Sequence, residues 1–167
     1  MIDDRDRQRT SQGSSADGPC VFRRANPGDH DAVVALVFDT LRSYGIQPDP
    51  QGLDADVVRF GTIDDPSIAE FVAELDGHVV GSIALRDRSD STGHISKFFV
   101  DAAERGHGIG RRLLELSVAQ ARRRGLRELD LETRSQFEAA VHLYESTGWK
   151  RGPDPTNVCD RTYLLRL

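Results

Sequence analysis

A mixed α/β sheet flanked by helices is the fold class this sequence predicts, on three observations. Ile68 to Leu75 and His78 to Leu85 are apolar-rich runs separated by Asp76-Gly77, the two-residue signal of a tight hairpin. His94 to Val100 runs into a turn carrying Gly106, Gly108 and Gly110, and that turn opens a basic amphipathic helix. Leu126 to Thr133 alternates apolar and polar residues before a second helical segment that stops at Gly148. Strands and helices interleaved in this order build a layered sheet-and-helix domain.

The elements follow in order. Residues 1–18 have few apolar groups and mixed charge, which predicts a disordered tail ahead of one domain over 19–167. Pro19 to Arg24 reads as a short first strand. Asn26-Pro27-Gly28-Asp29 is a helix start, with Asn as N-cap, Pro in the first helical position and an acid at the third. Val33, Leu36, Val37, Thr40 and Leu41 then keep helical spacing until Gly45. Pro48, Pro50 and Gly52 make a loop, and Asp54 to Phe60 is expected to be a short second helix. After the hairpin and the glycine turn, Leu114, Val118 and Ala121 form one apolar stripe, and Gly125 stops that helix. Ser135 and Glu138 are spaced as a capping box for the helix that carries Phe137, Val141 and Tyr144 on one face. Trp149-Lys150 begins another strand and Val158 to Leu167 is the last.

Bulk properties exclude several functions. The 167 residues are 38% hydrophobic and 29% charged, enough for one real core. A net charge of −5 disfavours non-specific nucleic-acid binding. No apolar run reaches membrane-spanning length, and the N-terminus lacks the apolar centre of a secretory signal. Cys20 and Cys159 are far apart, with no Cys-x-x-Cys or Cys/His cluster, so no metal site is expected and a cytoplasmic location is. A homodimer is left open.

The glycine turn carries the chemistry. Glycines let backbone N–H groups approach a ligand closely, and a helix N-terminus adds unpaired donors and a partial positive charge. Such a place binds anions, most often phosphate. A nucleotide-triphosphate loop would need Lys-Ser/Thr after its last glycine, where this chain has Arg111-Arg112; the glycine spacing also fails the dinucleotide pattern. The wording is instead Arg-x-x-Gly-x-Gly at Arg105, Gly108 and Gly110, directly after Phe99-Val100-Asp101. It resembles the pyrophosphate loop of the GCN5-related N-acetyltransferase (GNAT) family. A second block, Leu131-Glu132-Thr133-Arg134 through Leu143-Tyr144-Glu145 to Gly148-Trp149, resembles that family's next strand–helix pair.

The resemblance implies the GNAT fold, a mostly antiparallel sheet of about seven strands with about four helices, and acetyl transfer from acetyl-CoA to an amine. It implies a coenzyme site at Phe98, Phe99 and Val100, whose strand would offer backbone N–H groups to the thioester, and at Arg105, Gly106, His107, Gly108, Ile109, Gly110 and Arg111. Tyr144 matches the family's thiolate-protonating tyrosine. Two residues are candidates for the base: Glu132, which ends a central strand, and His94, which starts the strand feeding the turn. Phe137 stands where many members carry an Asn that contacts the coenzyme. A coenzyme-sensing module without turnover, and a transferase of a bulkier acyl group, are the alternatives.

Overall fold

In the computed structural model, which describes residues 18–155 and 158–167, the chain runs β1 (Val21–Arg24), α1 (His30–Ser43), β2 (Ile68–Leu75), β3 (His78–Asp87), β4 (Thr92–Val100), α2 (Ile109–Arg123), β5 (Glu128–Thr133), α3 (Glu138–Ser146), β6 (Lys150–Arg151) and β7 (Arg161–Arg166). The seven strands form one sheet in the order β1-β2-β3-β4-β5-β7-β6. Every neighbouring pair is antiparallel except β4–β5. That parallel pair is joined through α2, the crossover such a pair requires. The tail expected over 1–18 lies, but for Gly18, outside the described residues.

Local chemistry accounts for most of the elements. Asn26 caps a 3-10 turn, Pro27–Asp29, that leads into α1: its side chain accepts from the Gly28 N–H at 2.8 Å, and Asp29 reaches back to the Asn26 N–H at 2.8 Å, while α1 itself starts at His30 without a side-chain cap. Asp29 is held further by two hydrogen bonds from Arg23, at 2.7 and 2.8 Å. Asp76 and Gly77 both take positive φ, +49° and +79°, the geometry a tight hairpin needs.

Two expectations fail. Asp54 to Phe60 is not an α-helix; only one 3-10 turn forms there, at Val57–Arg59, so among the described residues the sheet is flanked by three α-helices and not about four. The aspartates compete with helical bonding: Asp54 accepts from the Asp49 N–H at 2.9 Å and Asp49 from the Leu53 N–H at 3.2 Å. Ser135 and Glu138 form no capping box either. Ser135 instead donates its N–H to Asp160 at 2.6 Å, and α3 starts later, behind Phe137.

Two apolar layers cover the sheet. α2 and α3 pack on one face through Ile109, Leu113, Leu114, Ala121 and Tyr144, against Ile83, Leu85, Ile95, Leu129, Leu131 and Tyr163. α1 packs on the other through Val33, Val37, Phe38 and Leu41, against Val57, Phe60, Val72 and Ala84. No helix among the described residues is long and apolar enough to cross a membrane.

Candidate active site

β4 and β5 pair only along Thr92–Ile95 and Glu128–Leu131. Beyond those residues the strands separate, and a cleft of about 640 Å³ opens between them. That volume is in the range of small-molecule and cofactor sites. β4 also carries a bulge where it pairs with β3: Ser82 faces Phe99 and Ala84 faces Ser96, so Lys97 and Phe98 share one partner. Lys97 sits at φ +52°, with its carbonyl held by the Ser82 hydroxyl at 2.8 Å. The extra residue switches the alternation of the strand. Ile95, Phe98 and Val100 face α2, while Phe99 faces α1.

The glycine turn closes one end of this cleft. Gly106 and Gly108 have φ of +84° and +81°, which L side chains rarely adopt. Gly108 is the N-cap of α2, and the first helical acceptor is its carbonyl, bound by the Arg112 N–H at 3.0 Å. None of the N–H groups of Gly106, Gly108, Ile109, Gly110 and Arg111 donates to a protein acceptor among the described residues. These are the orphan donors of a helix start. Gly110 lies so close to α3 that a Cβ there would be 3.3 Å from Leu143 Cδ2.

Sequence-predicted residues converge on the cleft with one exception. His94, Phe98, Phe99, Val100, Arg105, Gly106, Gly108, Ile109, Gly110, Arg111, Glu132 and Tyr144 all line it. His107 does not; its side chain is 70% exposed beside Glu104. Arg105 turns inward: its Nε donates to the Val100 carbonyl at 3.1 Å and a terminal nitrogen donates to the Tyr44 hydroxyl at 3.2 Å. Phe137 does not share a face with Val141 and Tyr144 as expected: it stands ahead of α3, packs edge-on against Tyr44 with ring centroids 4.9 Å apart, and joins Phe99 in an aromatic row on the α1 side.

Tyr144 is both a core residue and a cleft residue. Its ring packs among Phe98, Trp149 and Tyr163. Burial, and secondarily the neighbouring Tyr163, pushes its phenol above the ordinary tyrosine range, so it stays protonated. Glu132 is exposed to the cleft, where Cys159 also lies. Burial raises the Cys159 thiol, and the negative charge of Glu132 raises it further.

Three residues near this site were not singled out from the sequence. Asp130 pairs with His94 Nδ1. Lys97, which lines the cleft, pairs with Asp56. Tyr44 holds Arg105. The alternation of Leu129-Asp130-Leu131-Glu132 places Asp130 and Glu132 on one strand face, which was the available signal for the first. Of the five histidines, His30 is half-buried with Nε2 bonded to the Val58 carbonyl at 2.8 Å, whereas His78 and His142 are exposed.

Comparison with known proteins agrees with this geometry. The family model described as Acetyltransferase (GNAT) family matches residues 34–149. A protein named IAA acetyltransferase from Azospirillum brasilense is 34% identical over 137 residues, covering 77% of this chain and 88% of its own. Among solved structures, a GNAT-family acetyltransferase of Staphylococcus aureus Mu50 superposes with a TM-score of 0.80 at 18% identity, over 89% of this chain and 99% of its own. The PaiA N-acetyltransferase of Thermoplasma acidophilum, solved in complex with coenzyme A, superposes with a TM-score of 0.73 at 16% identity, over 90% and 100%. A family match over most of the chain, together with the splayed sheet and the glycine turn at the head of α2, makes this protein an acyltransferase that belongs to the GNAT acetyltransferase family.

Proposed function

We propose that the protein transfers an acetyl group from acetyl-CoA to a primary amine, carried by a small molecule or by the N-terminus of a peptide or protein. The observation that carries this reading is one continuous cleft. At one end it presents the orphan N–H donors of the α2 start; at the other it presents His94 and Glu132. An anion belongs at the first end and an ammonium group at the second. The coenzyme A held by the Thermoplasma acidophilum relative is consistent with the first.

Each demand of the reaction then has a group assigned to it. The turn 105–111 cradles the pyrophosphate. The β4 edge at Phe98, Phe99 and Val100, left without a β5 partner, offers backbone N–H groups where negative charge develops on the thioester oxygen. Glu132 and His94 are the acidic and basic groups beside the incoming amine. Tyr144 hydrogen-bonds the departing sulfur. A thiol titrates at about 8.5 and a free phenol at about 10. Burial widens that gap, so Tyr144 passes a proton through its hydroxyl and is not left as phenolate.

The test is twofold. Calorimetry should detect coenzyme A binding, and free thiol should be released from acetyl-CoA when a panel of amines is supplied. Binding with no thiol release from any amine would favour the sensor. Faster turnover of a longer acyl-CoA would favour the bulkier donor.

A further inference from the structure

We propose that Asp130 is a positioning residue that makes His94 the proton acceptor for the amine, leaving Glu132 to attract the cation. This rests on the acetyltransferase reading above. His94 and Asp130 stand directly opposite each other in the one parallel register among the described strands. The sheet geometry therefore fixes their approach and does not leave it to flexible side chains. His94 Nδ1 meets Asp130 Oδ1 in a hydrogen bond between side chains only 19% and 22% exposed. The other carboxylate oxygen accepts from Arg88 at 3.1 Å. Asp130 is thus pinned at both oxygens.

This arrangement selects one tautomer. A carboxylate accepts and cannot donate, so Nδ1 carries the hydrogen and Nε2 keeps the lone pair. His94 lines the cleft, and its Nε2 has no partner among the described residues. A base needs its lone pair available on the substrate side, and a second group to hold the ring and stabilise the imidazolium that forms. Other charged groups near His94 come from several elements. Arg86 faces it from β3, Glu132 lies two residues beyond Asp130 on β5, Lys97 follows on β4, and Asp54 lines the cleft from the loop after α1. Lys97 is neutralised by Asp56 and Arg88 by Asp130.

The protons balance. An ammonium R–NH3+ gives one proton to His94 Nε2 and attacks as R–NH2. The new C–N bond forms, the C–S bond breaks, and the nitrogen's second proton ends on the thiol sulfur by way of Tyr144. His94 returns its proton to solvent, and Asp130 stays ionised throughout.

Two readouts test the assignment. Nitrogen-15 NMR of the full chain should show His94 protonated at Nδ1 when neutral, and Asp130→Asn should loosen that preference, because an amide can donate as well as accept. In turnover of acetyl-CoA with a reactive amine, Asp130→Asn should lower kcat by about 10–100-fold, less than the 10²–10⁴ expected for losing the base itself. The KM for acetyl-CoA should not change, and the acidic limb of the pH–rate profile should move. His94→Gln should abolish that limb, and adding Asp130→Asn to it should cost nothing more. An unchanged limb in Asp130→Asn, or a limb that follows Glu132→Gln instead, overturns the proposal while the transferase reading stands. A wild-type chain that binds coenzyme A but releases no thiol with any amine overturns both.

Discussion

The hydroxyl of Ser82, fully buried, donates a 2.8 Å hydrogen bond to the carbonyl of Lys97, the residue whose φ of +52° makes the β4 bulge. A positive φ at a lysine stores strain that the surroundings must hold in place. Ser82 supplies that hold from the neighbouring strand. The bulge shifts the alternation of β4 by one residue, so that Phe98 joins Ile95 on the α2 face and Phe99 turns to the α1 face at the lip of the cleft.

Ser82→Ala should therefore cost about 2 kcal/mol of stability, the scale of leaving a buried acceptor unpaired. Urea unfolding measures it. The same variant should lower kcat as the β4 edge relaxes. Unchanged stability and turnover together would show that the bulge is held by its other contacts.

Gly108→Glu should abolish coenzyme A binding in a folded protein. Gly108→Ala is its control, because any Cβ at a φ of +81° is strained by about 1 kcal/mol, charge or no charge. Calorimetry should give weaker binding for the alanine variant and none for the glutamate variant. Equal affinities in the two would remove the pyrophosphate from this turn.

Tyr144→Phe keeps the ring among Phe98, Trp149 and Tyr163, so stability and coenzyme affinity should hold. The hydroxyl alone is lost. Turnover should fall by about 10²-fold, the lower end for general-acid help, because a thiolate is already a good leaving group. A burst of thiol release unaffected by the substitution would deny Tyr144 the role.

Acid stability should depend on Asp29. Its hydrogen bonds from Arg23, and then from the Asn26 N–H, hold its carboxyl below the usual range against the opposing effect of burial. A depressed carboxyl contributes stability above its unfolded pKa of about 3.9 and loses it as pH falls through the folded value. The wild-type chain should lose this contribution below about pH 4. Asp29→Asn should be about 2 kcal/mol less stable at pH 7, and the difference should close in acid. Thermal melts from pH 7 to pH 3 follow both; a constant gap would assign the loss to packing and not to charge.

Much of the protein was legible along the chain. The Asn26 cap, the Asp76-Gly77 hairpin and the glycine turn before α2 all depend on residues within a few positions of one another. Propensity, capping and turn geometry act at that range, so the sequence alone determined those elements and the left-handed glycine turn that opens α2. The failures at Asp54–Phe60 and Ser135 were also local patterns, overruled when side chains found other partners, Asp49 with Asp54 and Ser135 with Asp160.

What tertiary structure decided was register. Which residue of β5 stands beside His94, where β4 takes its extra residue, and where β4 and β5 part are set by strands distant in sequence packing between two layers of helix. A one-residue slip would turn every side chain of a strand to the other face. The alternation of β5 put Asp130 and Glu132 on a common face, but only the parallel register with β4 brought Asp130 to His94. The chain determined a glycine turn at the head of a helix on a mixed sheet; long-range packing made the cleft and chose the side chains that meet in it.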